Sequence, residues 1–366
     1  MSDQDLFYLL ALLKVDGVGD VMAKKLLTHC GNAEAIFSTK INQIAAIDGV
    51  GSVLLKNLKD KTIFEKANKE LEFIKSNKVN VAFFQDENYP DRLKHCFDSP
   101  VLLFTSGNIN LKNRKIISIV GTRQITSYGT EFCRSLIEDL SPLNPVIVSG
   151  FAYGVDIVAH QFAMDQNLQT IGVLAHGLNQ IYPRTHKKYV AKMEENGGFI
   201  TEFWSSSNPD KEKFVRRNRI VAGMTEATIV IESADKGGSL ITANFANDYN
   251  RDVFAVPGRV TDVYSKGCNN LIKTQKANVL TSAADLVYML NWDIENKSKA
   301  VQKQLFVELE SDEQKIYDFL LKNGKELLDT IALQCDFPIY KISGILINME
   351  LKGVARPLPG KLFEAI

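Results

Sequence analysis

Apolar positions change their rhythm along the chain. Over the first 65 residues they recur at helical spacing, as Leu9, Leu12 and Leu13 and again as Ile41, Ile44 and Ala45. Each set runs into a glycine turn, Val15-Asp16-Gly17-Val18-Gly19 and, 32 positions later, Ile47-Asp48-Gly49-Val50-Gly51. A Leu- and Lys-bearing helical stretch follows each turn, so the pattern predicts helix, hairpin, helix, twice, as one domain over 1–65. Residues 66–110 read as a connecting segment: a helix over Ala67–Lys75, a short strand over Val81–Phe84 and a polar, proline-marked passage.

Over 111–290 the rhythm shifts to short, nearly continuous apolar runs separated by helical stretches. The expected strands are Ile116–Val120, Val146–Val148, Thr170–Leu174, Phe199–Thr201, Ala227–Ile231 and Val253–Val256. Such runs, with helices between them, imply an α/β domain: a Rossmann-like parallel sheet covered on both faces. Sheets of this kind bind ligands beyond the carboxyl ends of their strands. Residues 291–307 are polar and Lys-rich and read as a linker. Beyond it, Ser311 with Gln314 predicts a capping box. Helices are expected around Ile316–Leu320, Leu327–Ala332 and Pro338–Leu351, with a stop at Gly353 and a hairpin turn at Pro359-Gly360. That order predicts a winged-helix domain over 308–366. The fold class is therefore a Rossmann-like α/β centre flanked by a helical, helix-hairpin-helix (SAM-like) N-terminal domain and a winged helix.

Composition narrows the function. Lys and Arg number 43 and Asp and Glu number 43, so no global field draws in a polyanion. By segment, 1–110 holds 13 basic and 14 acidic residues, 111–290 holds 20 and 17, and 308–366 holds 7 and 10. Phosphate binding must then come from local clustering, most plausibly in the centre, and the acidic winged helix suits protein contact or simple packing better than groove reading. No stretch has the roughly 18 apolar residues of a membrane span, and the N-terminus lacks the basic run of a signal peptide. Cys30, Cys96, Cys133, Cys268 and Cys335 are scattered, which fits reduced thiols in a cytoplasm. There is no P-loop and no dinucleotide glycine fingerprint, and the five histidines lack metal-ligand spacing, so no cofactor or metal is expected.

Gly/Ser turns with an arginine nearby occupy several strand ends: Gly121-Thr122-Arg123, Ser149-Gly150, Gly177 and Gly238-Ser239. Backbone amides there suit phosphate oxygens, and a guanidinium adds charge and a bidentate fork. Arg216, Arg217, Asn218 and Arg219, with Arg184 and Lys236, complete the candidate set. For Arg217 and Arg219, DNA contact and a structural tie between strand ends both remain open. Tyr128, Phe151, Tyr153, Tyr182 and Phe214 lie in or beside the turns, as base-stacking groups or core. Gly17, Gly19, Gly49 and Gly51 could present amides to a nucleic-acid backbone or serve only as tight turns.

Taken in order, the blocks Ile119-Val120-Gly121-Thr122-Arg123, Ser149 to Asp156, Val173 to Gly177, Arg216 to Gly223, Gly237 to Ala243 and Val253 to Gly258 resemble the DNA-processing protein A family (DprA, also called Smf) over about residues 80–290. The resemblance implies single-stranded DNA binding, protection of incoming strands and RecA loading during natural transformation and recombination, and a homodimer, with Ala243–Tyr249 and Leu271-Ile272 as its expected contacts. Arg123 falls at the family's Gly-Ser-Arg arginine and Arg217-Asn218-Arg219 at its Arg-Asn-Arg block; Thr122, Ala175-His176, Gly237 and Lys276 depart from the usual residues. Two rivals stand beside this. Gly237 to Thr242 resembles a motif of nucleoside-monophosphate phosphoribohydrolases, but Phe245 takes the place of their catalytic Glu, and a phenyl ring cannot move a proton. A structure-specific binder acting through the tandem hairpins is the other.

Overall fold

Ser2 starts the first helix by bonding the Asp5 amide at 3.1 Å while the Asp5 carboxylate takes the Ser2 amide at 3.0 Å. The computed structural model describes residues 1–292, 309–358 and 362–366, in two units, Met1–Trp292 and Asp293–Ile366. The first unit begins with helices α1 (Asp3–Leu13), α2 (Asp20–Cys30), α3 (Ala33–Ser38), α4 (Ile41–Ala45), α5 (Ser52–Asn57) and α6 (Thr62–Ser76). Gly17 and Gly49 turn the two hairpins at φ +93° and +88°, values that disfavour a side chain. The repeats interlock. Asn57 of the second donates to the Asp16 carbonyl of the first at 2.9 Å, and Lys25 of the first meets Asp48 of the second at 3.1 Å.

The sheet follows: β1 (Asn80–Phe83), α7 (Asp91–Lys94), β2 (Leu102–Gly107), β3 (Ile116–Val120), α8 (Ser127–Leu140), β4 (Val146–Ser149), α9 (Val155–Asp165), β5 (Thr170–Val173), α10 (Val190–Glu195) and β6 (Gly197–Thr201). Then come α11 (Lys211–Gly223), β7 (Ala227–Val230), α12 (Gly238–Asp248), β8 (Asp252–Ala255), α13 (Lys266–Lys273), β9 (Asn278–Val279) and α14 (Ala283–Met289). Strand order is β1-β2-β6-β5-β4-β3-β7-β8-β9, parallel from β6 to β9, with β1 and β2 antiparallel at one side. Residues of β3 to β7 are buried throughout, which is why they read as unbroken apolar runs. The chain winds from β3 outward to β6 and returns to β7, so the topological switch lies between β3 and β7.

All six expected strands form, with ends displaced by no more than two residues. Two differences stand out. The apolar pattern does not predict β2 or β9, and β1 with β2 extends the sheet, so the segment 66–110 contributes two strands to it rather than only leading to it. Leu102 and Phe104 of β2 also join the core of the helical domain, with Leu10, Leu12, Leu26 and Ile36.

The second unit contains α15 (Ser311–Asn323), β10 (Glu326–Leu327), α16 (Leu328–Gln334), α17 (Ile339–Leu351), β11 (Ala355–Leu358) and β12 (Leu362–Ala365) around Ile316, Leu320, Ile331, Ile342 and Met349. Three helices and a small sheet ordered β10-β12-β11 make the winged helix. Its first helix is capped by Glu310 with Glu313, one residue before the expected Ser311–Gln314 pair, and Glu313 is also held by Lys352 at 2.5 Å. Residues 293–307 of the expected linker and the turn at Pro359-Gly360 lie outside the described residues.

His160 of α9 sits wholly inside the sheet unit, its Nδ1 2.6 Å from the Thr170 hydroxyl, which itself donates to the Ile147 carbonyl. Nδ1 must therefore be the protonated nitrogen. Burial, with the charges of His186 and Arg217, presses its pKa down to about 3. Unfolded, the ring takes a proton below about 6.5. This group's contribution is thus complete above that value and is lost as pH falls from there toward 3. Urea unfolding of the wild type and His160→Gln at pH 7 and pH 5 should show a smaller loss of stability on acidification in the variant; equal losses would exclude this role.

Candidate functional site

The turns after β3, β4 and β7 open onto one cleft of about 660 Å³ at the switch point of the sheet. Gly121, Thr122 and Arg123 form one side, Gly150 and Ala152 the next, and Lys236, Gly238 and Ser239 the far side. Helix α11 closes it with Phe214, Arg217, Asn218 and Val221, while Asp156 of α9 and Thr242 of α12 also line it. The start of α11 is set by Asp210, whose carboxylate accepts from the Lys213 amide at 2.8 Å.

Arg217 organises the interior. Its Nη1 donates to the carbonyls of Gly150 and Val173, and its Nε to Asn218 Oδ1 at 3.1 Å. A Cβ on Gly150 would stand 2.5–2.6 Å from three guanidinium atoms, so the glycine makes room for this arginine. Only 4% of Arg217 is exposed. Burial lowers its pKa to about 10, with Asp156 acting against that and Arg123 adding to it. Asp156 is pushed up by burial and drawn back by Arg217.

Arg123 contrasts with it. Its side chain is exposed, rests 5.4 Å from the Phe214 ring centroid, and has no ion-pair partner among the described residues. Lys211 and Lys236 at the same cleft are likewise without ion pairs among the described residues. Across from them, α12 is preceded by Gly237, which gives no side-chain cap, leaving the amides of Gly238 and Ser239 and the positive end of the helix dipole at the cleft.

Nine predicted residues therefore converge: Gly121, Thr122, Arg123, Gly150, Arg217, Asn218, Lys236, Gly238 and Ser239. Ser239 offers only backbone, because its hydroxyl donates to Ser233 at 2.9 Å. The others are turned elsewhere. Ser149 is fully buried and donates to the Ile119 carbonyl at 2.6 Å. The Gly177 amide is committed to the Ser207 carbonyl at 3.1 Å. Arg184 is exposed on a turn outside the cleft lining. Arg216 and Arg219 face the helical domain, each 3.1 Å from Asp20 and 2.6 Å from Glu202. Asp20 is the first residue of α2, so the start of the first hairpin's second helix meets these arginines. Gly17, Gly19, Gly49 and Gly51 do not line the cleft.

Of the five flagged aromatics, Tyr182 and Phe214 line the cleft; Tyr128 donates to the Pro257 carbonyl at 2.8 Å, Phe151 is core and Tyr153 stands edge-on to His186. Phe245 stacks on Tyr249 and does not line the cleft. Sequence reasoning missed Lys211, although Asn208-Pro209-Asp210 before it is a legible helix start. Among the described residues no cluster of three or more His, Cys, Asp or Glu is placed to hold a metal, and no helix is long and apolar enough to cross a membrane.

Residues 80–291 match the family described as DNA recombination-mediator protein A, 9–61 the SAM-like helix-hairpin-helix tandem and 303–361 the DprA winged helix domain. The DNA processing protein DprA of Bacillus subtilis is 34% identical over 278 residues, covering 75% of this chain and 93% of that one. Protein Smf of Escherichia coli is 33% identical over 278 residues, covering 75% and 74%. The crystal structure of DNA processing protein A from Streptococcus pneumoniae superposes with a TM-score of 0.66 at 30% identity, over 79% of this chain and 98% of that one. The Helicobacter pylori protein, described for its single-stranded DNA binding mode, gives 0.53 at 28% identity, over 59% and 97%.

The two cleft arginines should separate by stability. Arg217→Ala orphans two buried carbonyls and is expected to cost about 2–5 kcal/mol, whereas Arg123→Ala should stay within about 0.5 kcal/mol of wild type. Chemical denaturation measures both, and equal losses would contradict the assignment of one as pin and the other as free contact.

Proposed function

Because the chain belongs to the DNA recombination-mediator protein A (DprA/Smf) family, we propose that it holds single-stranded DNA in the cleft at the carboxyl edge of its sheet and does no covalent chemistry on it. The observation that carries this reading is Arg123: an exposed guanidinium without an ion pair, lying on Phe214 and sharing its cleft with the uncapped start of α12. Phosphates suit the α12 amides, Lys236 and Arg123, while Tyr182 and Phe214 give the bases faces to stack on. Amides, Lys236 and Arg123 address phosphates and stacking accepts any base, so binding through these contacts is sequence-tolerant. The single-stranded DNA binding named for the Helicobacter pylori protein supports the same reading.

Within this proposal the bound strand is incoming DNA in the cytoplasm, protected and passed to RecA during natural transformation and recombination by a homodimer. The helix-hairpin-helix tandem is a lesser contact here. The first turn of α2 is engaged through Asp20 with Arg216 and Arg219, and α5 is a helix of only six residues.

Arg123→Glu should weaken binding of labelled oligo-dT by at least about tenfold and flatten the slope of log affinity against log salt by about 0.7 for each phosphate that the variant no longer neutralises. Fluorescence anisotropy reads both. Wild-type affinity in a folded variant would remove the cleft from the binding path. Sedimentation velocity of the purified chain should show a dimer at micromolar concentration, and a strict monomer would remove the homodimer.

A further inference from the structure

The cleft also carries polar groups suited to sugar hydroxyls, which an internal deoxynucleotide lacks. Thr242 of α12 lines the cavity, is only 2% exposed, and its hydroxyl has no hydrogen-bond partner among the described residues. Asp156 lines it too and is almost wholly buried. Its Oδ2 accepts from the Ala152 amide at 3.3 Å, while the proton of the nearby Ser149 hydroxyl goes to the Ile119 carbonyl. A carboxylate has about four acceptor positions, so most of its capacity is unspent.

Arg217 balances the charge of Asp156, and the acceptor positions left over can take a further donor. Sugar hydroxyls are such donors, and in dinucleotide-binding sheets an Asp or Glu takes that role toward the ribose 2′-hydroxyl. A deoxyribose inside a DNA strand has no free hydroxyl to give. A free ribonucleotide has two adjacent ones. The rest of the cleft matches the rest of that ligand: anion-binding amides and Lys236 at the start of α12, and the rings of Tyr182 and Phe214, with centroids 5.9 Å apart, for the base. Its volume of about 660 Å³ lies within the roughly 300–1,000 Å³ of small-molecule sites.

We propose that the cleft is also the site of a free ribonucleoside monophosphate, with its phosphate at the first turn of α12 and its ribose hydroxyls on Asp156 and Thr242, and that this nucleotide competes with single-stranded DNA. The inference goes beyond DNA holding, since an internal deoxynucleotide offers these groups no ribose hydroxyls. It makes occupancy of the cleft by DNA sensitive to the level of free nucleotide.

Calorimetric titration of the full chain with adenosine 5′-monophosphate and its 2′-deoxy counterpart tests it. The ribonucleotide should bind, and the deoxynucleotide at least about tenfold more weakly. Thr242→Val, which keeps the side-chain shape, and Asp156→Asn should each shrink that preference, with thermal melting used to confirm that each variant is folded. The ribonucleotide should also displace labelled oligo-dT. No heat at millimolar ribonucleotide, equal affinity for the two sugars, or a preference untouched in folded Thr242→Val would overturn the inference. Oligo-dT that binds and resists displacement would sink it while sparing the DNA reading. Ribonucleotide binding in a chain that ignores oligo-dT would do the reverse.

Discussion

A single buried guanidinium ties α11 to the ends of two parallel strands, because Arg217 donates to the carbonyl of Gly150 just past β4 and to that of Val173 at the end of β5. Carbonyls at strand ends have run out of ladder partners, and each left bare in the interior costs about 1–3 kcal/mol. Arginine can satisfy two of them from one side chain because its donors form a fixed fork. With α11 held there, Phe214, three residues earlier on the helix, and Asn218 face the cleft with Arg217, and the exposed Arg123 finds a ring to lie on.

The opposite side of the same helix fastens the helical domain. Arg216 and Arg219 share Asp20 and Glu202, and burial raises the Glu202 pKa to about 7 even though both arginines pull it down. Charges enclosed in this way are tolerated because they are paired, and removing one member leaves the others uncompensated. Glu70 of α6 adds a second tie, accepting from the Ser205 amide at 2.8 Å and its hydroxyl at 2.6 Å. Helix α11 therefore takes part in two junctions at once, one toward the cleft and one toward the hairpins.

Much of this was legible in the primary structure. Buried parallel strands announce themselves as apolar runs ended by Gly or Ser, and the clustering of Gly121 to Arg123 with Gly238 and Lys236 follows from the rule that such sheets bind at their carboxyl ends. Strand β2 escaped because it joins β6 antiparallel and so lacks the helix-strand alternation that marked the others. The arginines of α11 could not be sorted because the deciding partner, Asp20, lies 196 residues before Arg216. Ser149 looked like a phosphate turn by composition, yet its hydroxyl points back into the sheet at Ile119. A net charge of zero gave no hint of a polyanion; the ordered motif blocks carried that.

The outermost strands of the large sheet are β1, of four residues, and β9, of two. An open sheet border with unpaired amides is a template on which a stray chain can add itself, and length is what makes that addition favourable. Here each border offers only a few rungs, too few to recruit a foreign strand. Brevity at both borders thus guards the backbone against becoming a surface for unplanned polymerisation.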